Sequence, residues 1–484
     1  MDRLQTLDQV PEVLRPRYNP TAHGVGIVHL GLGAFHKAHQ AAMTDTAIAA
    51  DGGNWRILGV SLRNLRAAEE LAPQNGLYTL IDKGGEGAQA RVIGAIAGAI
   101  CSAEDPEPAL QAMAAAATQI VTLTVTEKAY GLDRARKGCD PSHPSVAADL
   151  ATPDRPQGVL GMLSAALARR RAEGTAPFTV LCCDNLSENG HLLRGAVIDF
   201  ARRHDADLAE WIAEHVAFPS SMVDRITPAA TDATRQEAAA WIGAEDHAAI
   251  ETEHFVQWVI EDNFPTGRPS WEKAGAIFAP DVAPFEAMKL RMLNGSHSML
   301  AYAGFHAGHS YVRDVMQDTA LARLVQRHLE GAAATLPPIT GIDLQGYAKA
   351  LLQRFANPSI AHETFQIAMD GSEKLPQRIF AAVLDARLAQ SEVRPFAFAT
   401  AAWLRHVSGA THDCPAYTLR DPRAAELQAM VEGKSAAQIV DVISQHGIVP
   451  MGLRKDSPFW RATTELLEEM LREPMREVIA REAR

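Results

Sequence analysis

Apolar residues in the first half of the chain gather into short runs separated by alanine-rich stretches. Gly24 to Leu30 (GVGIVHL) is the first run, followed by Gly31-Leu-Gly33-Ala-Phe-His36 and then by a segment of helical composition, His39 to Ala50. That order predicts strand, glycine turn, helix. Trp55 to Leu62 forms a second run, and a separation of about 20 residues is the spacing of a parallel β-α-β unit. Gln119 to Val125 and Phe178 to Cys183 are further strand candidates, each preceded by a helical stretch, Pro108 to Ala117 and Val159 to Ala172. Strands alternating with helices predict an α/β arrangement, a parallel sheet covered on both faces. Beyond residue 285 strand-like runs fade, and Leu321 to Ala334, Asp343 to Phe355 and Pro474 to Arg484 predict a mainly α-helical second part.

Composition sets the scale of that picture. A chain of 484 residues, 47% hydrophobic and 21% charged, can bury a sizeable core and exceeds one ordinary domain. The expected division is 1–284 and 285–484. With 46 Lys plus Arg against 58 Asp plus Glu, the formal charge is -12. No basic run could track a phosphate backbone, which argues against nucleic acid as a partner. No apolar run reaches the roughly 18 residues that span a bilayer. The opening stretch, MDRLQTLDQVPEVLRPRY, carries charges where an export signal needs an apolar region, so a cytoplasmic location is expected. Five cysteines without the spacing of a zinc knuckle or redox pair read as reduced thiols.

Two places carry candidate chemistry. A glycine turn between strand and helix lets the backbone approach a pyrophosphate at a helix N-terminus. Gly31 and Gly33 supply two of the usual three glycines, with His36 in the third position. By itself the signal is weak and an ordinary tight turn is the alternative; its place after the first strand, with a second strand at the right distance, favours a dinucleotide site. After the second strand comes Ser61-Leu-Arg63-Asn-Leu-Arg66, with no carboxylate to meet the ribose of NAD. Arg63 and Arg66 either meet the extra phosphate of NADP or are solvated. Further on, Phe285-Glu-Ala-Met-Lys289-Leu-Arg-Met-Leu-Asn294-Gly-Ser-His297-Ser predicts a helix with its apolar residues on one face. At about 100° per residue, Lys289, Asn294 and His297 share an arc of roughly 140°. Oxidation of a secondary alcohol needs a base for the hydroxyl proton and donors for the developing alkoxide; a buried lysine suits the first, an amide or imidazole N–H the second. Each residue singly is more often a solvated or core group.

GLGAFHKAH (31–39), TVTEKAY (124–130), CDNLSENG (183–190), FPSSMVDRITP (218–228), FVQWVIEDNFPTGRP (255–269), MKLRMLNGSHS (288–298) and AMDGSEKLPQR (368–378) follow one another in order. In these segments the chain resembles the polyol-specific long-chain dehydrogenase family. The resemblance implies a Rossmann-type N-terminal domain, a mainly helical C-terminal domain and an active site between them. It assigns Gly31, Gly33, Ala34, Phe35 and His36 to the cofactor turn. Lys289 corresponds to the general base, Asn185 and Asn294 to the pair that holds the substrate oxygen, and His297 to a substrate-positioning partner. Asp224 matches an acid near nicotinamide and substrate, Glu127 and Glu286 match acids on a proton route, and Lys374 and Arg378 lie in a segment near substrate.

The expected reaction interconverts a C2 alcohol and a 2-keto group in a linear sugar acid or polyol, using NAD, with NADP open because of Arg63 and Arg66. D-mannonate/D-fructuronate stands first and D-mannitol/D-fructose second. No metal is expected, since lysine-driven chemistry needs none, and the chain should be a monomer or small homo-oligomer. A non-catalytic nucleotide-binding regulator would keep the glycine turn but has no need of Lys289 with two asparagines and a histidine. A tartronate or 6-phosphogluconate type of dehydrogenase also pairs Lys with Asn, and is separated by testing phosphorylated acids.

Overall fold

A computed structural model describes the chain except residues 86, 359–360, 389–391, 410–412, 415 and 454–456. It divides into two compact units, Met1–Ala283 and Pro284–Arg484.

The first unit is built on a five-stranded parallel sheet. Its spatial order is Ile96–Cys101, Arg56–Ser61, Val25–Leu30, Ile120–Leu123, Thr179–Cys182. That is the 3-2-1-4-5 order of a Rossmann sheet, in which the order reverses between the first and fourth strands. Alternate residues serve two cores. Val28, Leu30, Val121 and Leu123 pack with Leu160, Leu163 and Leu167 on one face. Ile27, Ile57 and Ile120 pack with Ala38, Ala41 and Ile48 of the first helix on the other. Burial on both faces is why the inner strands and Thr179–Cys182 read as continuous apolar runs, whereas the edge strand Ile96–Cys101 is only partly buried and does not stand out in the sequence.

The alternation of strand and helix does not extend through the whole unit. Tyr78–Gly84 and Gly87–Ile93 form an antiparallel hairpin, with Ile250–Glu253 added in parallel to its first strand. Ser221–Asp224, Gln257–Glu261 and Ile277–Ala279 form another small sheet. Most of these strands mix polar and apolar positions, and Ile277–Ala279, although apolar, is only three residues long, so none stands out as an apolar run.

The second unit is helical, and among its described residues it contains no strand, only isolated bridge positions such as that between Tyr311 and Glu363. Its central helix, Gly295–His306, is buried from Gly295 through Gly304. It packs against Thr319–Ala334, Thr364–Ile367 and Arg394–Val407. The stretch 285–298 therefore departs from the expected single helix with one apolar face. Ala283–Met288 is α-helical, Lys289–Asn294 is a π-helical turn, and the α-helix resumes at Gly295. The i+5 hydrogen bonds of that turn admit an extra residue, so the arc reckoned at a constant angle per residue does not apply across it. Two more π turns, Lys37–Ala41 and Pro376–Phe380, fall in or next to motif segments. Among the described residues no helix is long and apolar enough to cross a membrane.

Candidate active site

The glycine turn stands at the carboxyl end of the first strand. Gly31 has φ 95°, the left-handed region, and its N–H donates to the Val60 carbonyl (2.9 Å). A Cβ there would lie 2.2 Å from the main-chain oxygen of Thr124, so both conformation and neighbour demand glycine. Gly31→Ala should destabilise the N-terminal unit by about 2 kcal/mol or more and raise the Michaelis constant for the cofactor. An unchanged urea midpoint would show that the turn rearranges freely. Gly33 differs, because its Cβ would meet only the Gly31 carbonyl, at 3.7 Å. Protein packing alone does not require glycine at 33; a pyrophosphate passing close to the backbone would.

Beneath the turn lies a polar cluster that is invisible in the sequence. Thr124 Oγ1 donates to the Gly31 carbonyl (3.0 Å), and His29 Nε2 lies 2.9 Å from Thr124 Oγ1 and 3.3 Å from that carbonyl. His29 Nδ1 meets Thr122 Oγ1 at 2.8 Å. The His36 ring stacks on His29, centroids 3.4 Å apart. Both rings are fully buried, and burial holds both imidazoles neutral, His29 at about 3. His36 thus supports the turn from below by packing, while Gly31, Gly33, Ala34 and Phe35 are at least partly exposed. Arg63 and Arg66 are exposed at the end of the second strand, where Arg66 pairs with Glu70 (2.8 Å).

Three motif segments are tied together at this end of the sheet. Asp184 accepts hydrogen bonds from Val125 N–H (2.8 Å), Thr126 N–H (3.1 Å) and the Tyr130 hydroxyl (2.6 Å). Burial raises its pKa, and those donors counter the rise only in part. Asn189 then links the Asp184 carbonyl (3.1 Å) to both main-chain groups of Ser221, 2.7 Å to its oxygen and 2.9 Å to its nitrogen. Asn185, Glu127 and Asp224 project from the segments so joined. Asn185 is exposed, Glu127 is ion-paired with Arg134, and Asp224 is buried at the end of its strand. Arg225 is turned elsewhere, donating to the Ala38 and Glu253 carbonyls and to Asp82 (3.2 Å). Asp184 and Asn189 were missed in the sequence although both sit in CDNLSENG; the invariably short reach of Asp and Asn to nearby backbone N–H groups was the available signal.

In the second unit Lys289 opens the π turn with only 7% of its surface exposed, and Glu286 and His297 are also buried. Arg378, from the π turn Pro376–Phe380, donates to the Asn294 carbonyl (3.4 Å) and Ser298 Oγ (3.2 Å). The structure thus joins Lys289, Asn294, His297 and Arg378 around two packed π turns. Arg378 meets only these neutral acceptors, and among the described residues no carboxylate pairs with it. Burial lowers its pKa to about 10. Lys374 is occupied differently: its ammonium donates to the Met369 (2.6 Å) and Ile367 (3.3 Å) carbonyls, with Asp370 at 4.0 Å. Burial, then Arg378, lowers its pKa. Burial is also the first cause of the lowered pKa of His297, followed by His362, Arg354 and Arg378. Among the described residues no group of three His, Cys, Asp or Glu side chains could hold a metal ion.

Comparison with known proteins covers nearly the whole chain. Residues 25–273 match the mannitol dehydrogenase Rossmann domain, and residues 281–471 the mannitol dehydrogenase C-terminal domain. The chain is 42% identical to an uncharacterized oxidoreductase, YeiQ, of Escherichia coli K12, over 92% of this chain and 91% of that one. It is 41% identical to the D-mannonate oxidoreductase of the same organism, over 97% and 98% of the two chains. Among solved structures it is similar to Pseudomonas fluorescens mannitol 2-dehydrogenase in ternary complex with NAD and D-mannitol, with 34% identity, TM-score 0.84 and 99% coverage of both chains.

Proposed function

The chain belongs to the mannitol dehydrogenase family, and from that premise we propose that it is an NAD-dependent oxidoreductase of open-chain sugar acids, interconverting D-mannonate and D-fructuronate. The observation that carries the choice of an acid is Arg378. A guanidinium in a partly dehydrated setting, held among the described residues by neutral acceptors, is suited to receive a carboxylate. A neutral polyol would leave it without a counter-ion, which is unfavourable away from water.

The glycine turn fits the pyrophosphate of NAD, since Gly33 leaves its backbone open where Gly31 is required by the fold itself. Held there, the nicotinamide would supply a hydride acceptor for the C2 hydrogen of the alcohol and, when reduced, a hydride donor to the 2-keto carbon. Lys289 takes the hydroxyl proton during oxidation and gives it back during reduction. The amide N–H groups of Asn185 and Asn294 hold the oxygen as negative charge develops on it, without surrendering a proton. His297 positions the substrate, Asp224 lies near the reacting centre, and Glu127 and Glu286 pass the proton between Lys289 and water.

The reading is tested by following NADH and NADPH absorbance with fructuronate, fructose and other 2-ketoses. Preference for fructuronate supports it; preference for fructose moves the assignment to D-mannitol/D-fructose, the substrate pair of the second reading. For the cofactor, NADPH activity should accompany NADH activity, through Arg63 and Arg66. Arg66→Ala should lower the NADPH rate several-fold more than the NADH rate. If both rates are unchanged, Arg66 serves only Glu70.

A further inference from the structure

His362 belongs to none of the motif segments, yet it packs against a residue of one. Its backbone is fixed, because Val312 N–H donates to its carbonyl (3.0 Å) and the next residue, Glu363, bridges to Tyr311. Its ring meets the ring of His297 edge to face, centroids 5.4 Å apart and planes at 87°. From Leu344–Phe355, Phe355 lies against the same imidazole at 4.6 Å and 35°. Among the described residues the His297 ring makes no hydrogen bond to a protein group. Ring orientation in a functional histidine is ordinarily set by a hydrogen bond from its second nitrogen. Here two rings take that place.

Both imidazoles are neutral at pH 7. Burial, then Lys374, lowers the pKa of His362, as burial and nearby positive charge lower that of His297. Each ring therefore carries one donor and one acceptor nitrogen. With no protein partner to choose between them, the useful orientation of His297 depends on what confines its ring plane. We propose that His362 is a positioning residue, which with Phe355 clamps His297 so that its imidazole meets the substrate in one orientation. The inference rests on the reading of His297 as the substrate-positioning group.

A ring pair of this kind biases orientation by several-fold to about tenfold. In the full-length protein, His362→Ala should lower kcat/KM for the keto substrate about tenfold and leave the Michaelis constant for NADH unchanged. His362→Phe keeps the ring without its nitrogens and should recover to within about threefold of the parent. The double variant His297→Ala/His362→Ala should be no slower than His297→Ala alone, because coupled residues are not additive. Should the alanine variant fail to fold, His362→Leu removes the ring while filling its volume. Additive losses in the double variant, or a phenylalanine variant as impaired as the alanine one, would overturn the clamp. If His297→Ala is impaired and His362→Ala is not, the clamp alone is wrong. Full turnover in His297→Ala would remove the role of His297 and the clamp with it.

Discussion

Lys289→Ala should lower kcat by at least about a hundredfold at neutral pH, the scale of a lost acid/base group, with little change in NADH affinity. Lys289 is 7% exposed and opens a π turn in the core of the helical unit, so its amine is a buried group rather than a solvated side-chain end. Removing it leaves the proposed amide donors of Asn185 and Asn294 in place, so substrate can still be held while its hydroxyl proton has no acceptor. Loss of kcat without loss of cofactor binding is the signature of an interaction made in the transition state. Added methylamine should restore part of the rate if the cavity remains intact. Near-normal turnover in the variant would remove lysine from the base role.

Arg378→Ala should raise the Michaelis constant for fructuronate about tenfold to a hundredfold, the effect of one or two lost hydrogen bonds to a charged group, and that for fructose much less. Fructuronate carries a carboxylate at the end remote from the reacting carbon, where fructose carries a neutral hydroxymethyl. Arg378 has the geometry for the difference, since among the described residues its acceptors are the Asn294 carbonyl and the Ser298 hydroxyl, both neutral. Arg378→Lys should rescue only in part, because an ammonium keeps the charge and loses the planar fork. Lys374 should matter less, as two carbonyls and Asp370 already engage its ammonium. Equal losses with both substrates would mean that Arg378 serves a hydroxyl common to them, or only braces the π turn.

Four of the five strands of the parallel sheet were legible because strands buried on both faces cannot hide their apolar runs, and the first glycine turn marks where the order of strands reverses; the edge strand Ile96–Cys101, only partly buried, was not picked out. The hairpin Tyr78–Gly84 and Gly87–Ile93 was not, since one strand ends in Asp82-Lys83-Gly84 and the other carries Gln89 and Arg91. Ser221–Asp224 is only four residues long. Among the candidate site residues, Lys289, Asn294 and His297, and Gly31, Gly33, His36, Arg63 and Arg66 at the glycine turn, were singled out by residue type and spacing, and the other assignments came from the resemblance. The arrangement of Lys289, Asn294 and His297 was not legible, because a slip from i+4 to i+5 hydrogen bonding has no compositional mark. Asp184 and His362 act through partners far away in sequence, Val125 and Tyr130 for one, His297 for the other. Such pairings exist only after folding.

The π turn at Lys289–Asn294 separates durability from activity in this protein. A helix bearing one residue too many can be healed by deleting one, and a deletion within 290–293 would let regular i+4 bonding run from Ala283 to His306. The repaired helix would lose a local irregularity and could be the sturdier for it. Yet every side chain after the deletion would turn by about 100° relative to those before it. Asn294 and His297 would face away from the direction set by Lys289, and the Asn294 carbonyl would leave the guanidinium of Arg378. Selection for a tougher scaffold and selection for turnover would therefore pull this helix toward different lengths.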